Sequence, residues 1–157
     1  MRLSLLLVVI VLLPETAMAA LFGNVFAGTP PTTLGVRGGR LAPCPDKPNC
    51  VSSQAADDDG HAIKPLAYTG DTAVAMARLA KVVAAEEGAR IVTQRPDYLH
   101  VEYQSKLMGF VDDVELQADS AAHVIHVRSA SRLGHGDLGV NRARVEALRA
   151  AFAAGPA

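Results

Sequence analysis

Two stretches of the chain carry apolar residues at the spacing of an amphipathic helix. In the first stretch, Met76, Leu79 and Val83 recur three or four positions apart, which predicts a helix with one face packed on a core. Asp71 precedes this stretch as a candidate N-cap, and Gly88 follows it as a candidate C-terminal stop. The second stretch lies near the C-terminus and repeats the pattern with Val145, Leu148 and Phe152.

Between these two predicted helices, the chain changes to runs that are typical of β-strands. Four such runs occupy residues 90–94, 98–105, 110–117 and 123–131, each bounded by turn-prone residues or by a change of pattern. The connections between neighbouring runs are too short for parallel crossovers. The sequence therefore predicts an α+β fold, in which a four-stranded, largely antiparallel sheet carries both helices on one face.

A two-residue period along these runs assigns their side chains to two faces. In the third run, Val114 and Leu116 point toward the predicted core. Asp113 and Glu115 point to the opposite, polar face, and in the fourth run Arg128 does so too. If the two strands pair, Arg128 comes within cross-strand reach of Asp113 or Glu115. The alternation thus predicts an ion pair on the face away from the helices.

The N-terminus has the composition of a targeting segment. Arg2 precedes an unbroken apolar run over residues 3–13, and the small residues at 17–19 match the preference of signal peptidase. We interpret residues 1–19 as a signal peptide cleaved after Ala19, with an uncleaved membrane anchor as the alternative. The protein is therefore expected to be exported, to the periplasm or to the outer face of the cytoplasmic membrane.

The rest of the chain has room for one domain. Residues 20–40 are rich in Gly, Pro and Thr and lack periodicity, so we interpret them as an extended spacer. Residues 41–153 are interpreted as a single α+β domain, because 157 residues suffice for one packed core and no second one.

Export changes the interpretation of the two cysteines, Cys44 and Cys50. An oxidising compartment favours a disulfide between them. Pro45 and Pro48 restrict the intervening residues to turn-like conformations, which lowers the entropic cost of closing so small a ring. The alternative is a metal site or a reactive thiol, but zinc ligands usually come as closer cysteine pairs with two further ligands. We expect a disulfide-stapled loop ahead of the sheet, which continues to about residue 63 as a surface loop.

Formal charge is nearly balanced over the whole chain and uneven along it. The net charge is −1, which argues against nucleic-acid binding because that function needs a basic face. The formal charges of residues 97–119 nevertheless sum to −5. Those of residues 120–157, which include five arginines, sum to +3. The simplest interpretation is that these arginines pair with the protein's own carboxylates and tie the last strand and helix to the sheet.

A second interpretation leaves some of these arginines free for a ligand. Arg132, His135 and Arg142 flank the glycine-rich sequence LGHGDLG, which leads into the second predicted helix with Asp137 or Asn141 as its candidate cap. A helix N-terminus and arginine side chains both favour an anion. The ligand would be an anionic small molecule or a lipid head group, and no cofactor is expected. The candidate ligand-binding residues are Arg128, Arg132, Asn141, Arg142, Asp113, Glu115 and Asp137.

Catalysis is the alternative class of function. A hydrolase or a divalent-metal-dependent enzyme would use Asp113, Glu115, Ser131 and Asp137, with His135 as a candidate base. Alternation sends Asp112 and Asp113 to opposite faces, which disfavours a metal site built on both. No G-x-S-x-G sequence accompanies the serines. We therefore expect a protein that is not an enzyme and holds no metal.

Four segments carry a family likeness: LAPCPDKPNCVSSQ, HAIKPL, GFVDDVEL and VIHVRSASRLGHGDLGVNRARVEALR. In this order they resemble domain-of-unknown-function family 1499, which occurs in exported or membrane-anchored bacterial proteins and in photosynthetic eukaryotes. The likeness covers residues 41–152. It implies no reaction and favours binding or architecture over catalysis. It also implies that the family's signature positions include Cys44, Asn49, Cys50, Asp112, Asp113, Glu115, Arg128, Ser129, Ser131, Arg132, Asp137, Gly139, Asn141, Arg142 and Glu146.

Overall fold

The computed structural model describes residues 26–55 and 60–155, and it has the predicted α+β architecture. Its elements in chain order are β1 (Cys50–Ser52), β2 (Leu66–Ala67), α1 (Thr72–Ala84), β3 (Ala89–Arg95), β4 (Tyr98–Gln104), β5 (Val111–Asp119), β6 (Val124–Ser131) and α2 (Val140–Ala154). The strands form one antiparallel sheet in the order β1-β6-β5-β4-β3, and β2 also pairs with β6. The predicted signal peptide, residues 1–19, lies outside the described residues, so its cleavage stays a prediction.

The prediction of a four-stranded sheet was wrong, because the sheet has six strands. The additional strand β1 lies in the segment that we expected to be a surface loop, and β2 follows just after the end of that segment at residue 63. Both occupy the edge of β6 that faces away from β5, with Val51 opposite Ser129 and Leu66 opposite Ile125. Strands of three and two residues are too short to show an alternating pattern in the sequence. Their strand conformation is set by the open edge of β6.

Helix α1 begins where the sequence predicted and ends earlier. The Asp71 side chain accepts a hydrogen bond from the Val74 backbone N–H at 3.0 Å, which confirms it as the N-cap. The helix ends at Ala84 and not at Gly88. Gly88 instead lies where the chain enters β3 with a φ of +74°, and a Cβ there would lie 2.5 Å from the Gln104 carbonyl oxygen. The glycine is needed for this close approach of two backbones.

One hydrophobic core lies between the two helices and the sheet, and it confirms the predicted alternation. The helices contribute Leu79, Val83, Leu148 and other apolar side chains that are fully buried. From the sheet, Leu99, Val101, Val114, Leu116, Ile125 and Val127 face them. Below, this side of the sheet is the helix face, and the opposite side is the outer face.

The described part of the predicted spacer lies on the outer face. The Gly35 backbone N–H donates to Glu115 Oε1 at 2.7 Å, and Gln117 Nε2 donates to the Gly39 carbonyl at 3.0 Å. At its start, the Phe26 ring stacks on the Phe110 ring with 5.0 Å between the centroids. Residues 26–39 therefore cover charged side chains of the sheet in addition to leading into the domain.

The predicted disulfide between Cys44 and Cys50 is present, with 5.7 Å between the two Cα atoms. It closes a loop that runs directly into β1. From this loop, Asn49 Nδ2 donates to the Gly134 carbonyl at 3.1 Å, and the Asn49 carbonyl accepts from Asn141 Nδ2 at 3.1 Å. The stapled loop thus braces the connection between β6 and α2. Within residues 26–55 and 60–155, no helix is long and apolar enough to cross a membrane.

Candidate functional site

Three connections meet at one end of the sheet and enclose a cleft. They are the α1–β3 turn (85–88), the β4–β5 turn (105–110) and the β6–α2 loop (132–139). Their proximity follows from antiparallel pairing, because the start of β5 lies opposite the ends of both β4 and β6. The space between them, which we call the end cleft, has a volume of about 630 Å³. Its walls include the apolar side chains of Phe110, Leu133, Leu138 and Val140.

The floor of the end cleft is a charged pair. Arg144 Nη2 donates to Asp112 Oδ2 at 2.5 Å, and Arg144 Nη1 donates to Asn141 Oδ1 at 2.8 Å. The guanidinium also lies over the Tyr103 ring, 4.8 Å from its centroid. The side chains of Arg144 and Asp112 retain 14% and 11% of their accessible surface, so they are reachable from the cleft. A ligand in the cleft would therefore meet apolar walls and a polar floor.

Asn141 and Asp137 fix the entry of α2 beside this floor. The Asp137 carboxylate accepts from the backbone N–H groups of Gly139 at 2.9 Å and Asn141 at 2.8 Å. Burial alone raises the pKa of Asp137, but these hydrogen bonds and one from the Asn141 side chain outweigh burial and hold the pKa below its ordinary value. Asn141 is completely buried and also bonds Ser129 and Ser131. These two residues therefore join the loop, the helix and β6.

Negative charge prevails in the end cleft. Four carboxylates lie in its lining against the single guanidinium of Arg144. They are Glu86, Glu87, Asp112 and Asp137. The Tyr103 hydroxyl donates a hydrogen bond to Glu86 Oε2 at 2.6 Å. Burial together with this carboxylate raises the pKa of Tyr103.

A second charged cluster lies on the outer face and is almost closed to solvent. Arg132 donates from Nε and Nη2 to the two oxygens of Asp113, both at 2.8 Å, and from Nη2 to Glu102 at 2.6 Å. His100 Nε2 lies 2.8 Å from Asp113 Oδ1. Burial alone raises the pKa of Asp113, but the hydrogen bonds from Arg132 and His100 outweigh it and hold this pKa below its ordinary value. The cluster is an internal network.

Arg128 and Glu115 form the rest of the outer-face cluster, as the alternation predicted. They are opposite each other in the paired strands, with 3.5 Å between Nη1 and Oε2. Glu115 Oε1 also accepts from the Tyr98 hydroxyl at 2.8 Å and from Gly35. Burial lowers the pKa of Arg128, because too few partners replace the water that the guanidinium loses. This pair is covered by residues 26–39.

The structure therefore divides the predicted ligand-binding residues between two faces. Arg128, Arg132, Asp113 and Glu115 lie on the outer face. Asp137 lines the end cleft and bonds the buried Asn141, and Arg142 donates to the carbonyls of Ala62 and Gly60 at 2.8 and 3.1 Å. The seven residues do not form one site.

The residues of the catalytic alternative are divided in the same way. Asp113 and Glu115 lie on the outer face, whereas Ser131 and Asp137 lie on the side of α2. Ser131 Oγ accepts a hydrogen bond from Asn141, and His135 is exposed. Among the described residues, no three His, Cys, Asp or Glu side chains are grouped so that they could hold a metal ion.

Two residues of the end cleft carry a signal in the sequence, although neither was among the predicted ligand-binding residues. Asp112 occupies a core-facing position of β5, where a carboxylate needs a buried partner. Arg144 follows Asn141 by one helical turn, so its side chain can reach the same place from α2. Leu138 has no such signal. It is fully exposed and has a φ of +55°, which a leucine rarely adopts.

Comparison with known proteins gives a family and no closer relative. The family model described as "Protein of unknown function (DUF1499)" matches residues 40–152, well over half of the chain. Neither the curated proteins nor the solved structures contain a match. The match confirms the resemblance noted in the four sequence segments, and the chain belongs to the DUF1499 family.

Proposed function

We propose that the protein is a non-catalytic, exported binding domain of the cell envelope and that its end cleft holds an amphipathic small molecule. The observation that carries this proposal is the cleft of about 630 Å³, with apolar walls and the Arg144–Asp112 pair on its floor. Sites for small molecules are typically concave, roughly 300–1,000 Å³ in volume and mostly apolar, with a few polar groups that orient the ligand. The end cleft fits this description.

The charges of the cleft indicate the kind of polar head. The sequence suggested an anion or a lipid head group bound by arginines, but Arg128 and Arg132 are occupied by carboxylates of the outer face. In the cleft, Arg144 is already bonded to Asp112, and Glu86 and Asp137 add negative charge to the lining, which disfavours a free anion. A head group that carries both charges has a cationic part for the acidic lining and an anionic part that shares the Arg144 guanidinium with Asp112, since the Arg144 side chain is 14% exposed whereas those of Arg128 and Arg132 are 6% and 5% exposed. The proposed ligand is therefore a zwitterionic amphiphile such as a phospholipid.

Export is supported by two features of the chain. Arg2 and the apolar run over residues 3–13 have the composition of a signal peptide, whether it is cleaved or kept as an anchor. The Cys44–Cys50 disulfide suits an oxidising compartment, because cytosolic thiols are kept reduced. The proposed location is the periplasm or the outer face of the cytoplasmic membrane.

A charge placed in the cleft wall tests the proposed ligand site. Protein is produced from the full chain, so that the N-terminus is processed as in the cell, and titrated calorimetrically with dodecylphosphocholine below its micelle concentration. We expect saturable binding that also raises the melting temperature, since a ligand of the native state stabilises it. Val140→Asp should weaken binding roughly tenfold or more, because it places a charge against the alkyl chain.

The matched control is Val74→Asp. Both valines are exposed and lie in the first turn of a helix, where an aspartate is favourable, so both variants should fold. Only Val140 lines the end cleft. No saturable binding by the wild-type protein, or equal affinities of the two variants, would contradict the proposed site.

A further inference from the structure

Exposed apolar side chains are concentrated in two of the three connections that form the end cleft and at the start of α2. Leu107 and Met108 project from the β4–β5 turn, and Leu133, Leu138 and Val140 from the β6–α2 loop and the start of α2. We call these five residues the rim. Leu107 is 90% exposed and Leu138 is fully exposed. Among large apolar residues of the described chain, the only others that are exposed are Val74 and Val92, which lie on α1 and β3. The rim therefore contains most of the exposed large apolar side chains of the described residues.

Leu138 shows that this exposure is built into the loop. Its φ of +55° lies in the left-handed region, which costs a leucine free energy and is normally left to glycine or asparagine. This loop is anchored at two places: Asp137 accepts from Gly139 and Asn141, and the stapled loop holds Gly134 through Asn49. The loop is thus braced on both sides of Leu138, while the leucine side chain at the cleft wall stays fully exposed.

The N-terminal segment enters the domain at the same place. Phe26 stacks on Phe110, which lines the end cleft, and Gly28 lies against Arg132 and Leu133 so closely that a Cβ would approach Leu133 Cγ to 3.1 Å. The 25 residues that precede Phe26 include the apolar run 3–13, and the six after Ala19 include Leu21, Phe22 and Val25. Apolar sequence therefore leads to the rim whether or not residues 1–19 are removed.

We propose that the rim docks on the surface of a lipid bilayer, so that the end cleft opens toward the membrane. The apolar side chains would lie at the boundary between head groups and acyl chains, as in other peripheral proteins. The charges beside the rim also predict which kind of lipid surface it binds. Lys106 is paired with Glu87, and Glu86 and Asp137 add negative charge, so the patch offers no excess of cations to anionic lipids. A zwitterionic bilayer is therefore sufficient. The inference goes beyond the proposed function, since the rim can dock with the cleft empty.

Single tryptophan substitutions test this contact, because the chain contains no tryptophan. Leu138→Trp and Leu107→Trp place the fluorophore in the rim. Val74→Trp is the control, because Val74 is exposed and lies roughly 15 Å from the end of α1 that borders the cleft. Each full-length variant is mixed with phosphatidylcholine vesicles, with and without brominated acyl chains, and with vesicles that also contain phosphatidylglycerol.

We expect the emission of both rim variants to shift to the blue with vesicles and to be quenched by brominated lipid, equally with and without phosphatidylglycerol. Val74→Trp should show neither change, even if the N-terminal segment anchors the protein. In the double variant Leu107→Asp/Leu138→Trp, quenching should be weaker than in Leu138→Trp alone. Its partitioning into vesicles should be roughly tenfold weaker, because one leucine of the rim is lost. The proposal is overturned if the rim tryptophans stay unquenched in vesicle-bound protein. It is also overturned if the blue shift depends on protein concentration without lipid, since a second copy would then cover the rim.

The two proposals fail in distinguishable ways. Quenching of Leu138→Trp together with no saturable binding of dodecylphosphocholine would retain the membrane contact and reject the ligand site. Ligand binding that is sensitive to Val140→Asp, without quenching, would retain the ligand site and reject the membrane contact.

Discussion

Arg132 neutralises two carboxylates at once on the outer face. It bonds Asp113 through two nitrogens and Glu102 through one of them, and its side chain is 5% exposed. Water therefore screens this network little. When one partner of a buried pair is removed, the remaining charge is left without compensation, which costs more than the pair itself contributes. Removing Arg132 is therefore expected to lower stability through the buried carboxylates that it leaves unpaired.

We expect Arg132→Ala to lower the free energy of unfolding by about 3 kcal/mol, because Asp113 would remain buried with His100 as its partner. The measurement is urea denaturation at neutral pH. Arg90→Ala is the matched control, since Arg90 also pairs with Glu102 but is mostly exposed, and it should cost about 0.5 kcal/mol or less. Similar losses for both variants would contradict the role of Arg132.

The same cluster makes stability depend on pH. The ordinary pKa of an aspartate is about 3.9, and the pKa of Asp113 in the folded protein is lower. Its contribution is therefore complete above about pH 4–5 and is lost as the pH falls through the folded-state pKa. In Arg132→Ala, burial raises the Asp113 pKa with less opposition. The difference in unfolding free energy between wild type and Arg132→Ala should therefore shrink from pH 6 to pH 3, and a constant difference would contradict the linkage.

At the scale of elements, the entry into α2 is held by a residue outside the helix. Gly139 occupies the N-cap position and offers no side chain, and Asp137 supplies the acceptors from two residues earlier. The same carboxylate bonds the side chain of Asn141, which connects α2 to β6 and to the stapled loop. The side chain of Asp71, the N-cap of α1, by contrast accepts only from the Val74 N–H.

We expect Asp137→Ala to destabilise the protein by about 2 kcal/mol and Asp71→Ala by about 1 kcal/mol, because caps contribute about 0.5–2 kcal/mol each and Asp137 serves more donors. Thermal and urea unfolding of the two variants provide the measurement. Asp137→Asn should recover part of the loss, since the amide keeps one acceptor oxygen. If Asp71→Ala is the more damaging change, the additional role of Asp137 is wrong.

At the scale of the whole molecule, the segment before the family match contributes to the domain. The match begins at residue 40, yet Gly35 donates to the buried carboxylate of Glu115 and Gly39 accepts from Gln117. Each hydrogen-bond donor that a fully buried carboxylate lacks lowers the stability of the folded protein. Residues 26–39 are therefore part of the folded unit, although their composition is typical of a linker.

We expect a chain that begins at residue 41 to be less stable than one that begins at residue 26, by about 2 kcal/mol for the lost donor to Glu115. Both are compared by urea denaturation with the disulfide intact. The variant Glu115→Gln should make the two chains more similar, because a neutral amide needs the Gly35 N–H less. Equal stability of the two chains would show that the segment contributes no free energy to folding.

The regular elements were predictable because their pattern is local. Met76, Leu79 and Val83 define α1 by spacing alone, and the alternation around Val114 assigns both faces of β5. The ends of elements were less predictable: α1 stops at Ala84, whereas Gly88 lies beside Gln104 of another strand and does not end the helix. Strands β1 and β2 were missed for a related reason, since their conformation depends on the edge of β6.

The sequence by itself determined the two helices, the four long strands, the disulfide partners and the pairing of Arg128 with the acids of β5. Periodicity, the number of cysteines and strand alternation act over a few residues, and each leaves a record in the chain. Only the tertiary structure decided that Arg132 and Arg144, twelve residues apart, serve opposite faces. It also decided that three separate connections form the end cleft and its rim. A cleft has no local pattern, because it results from the distance between segments that the chain order does not specify.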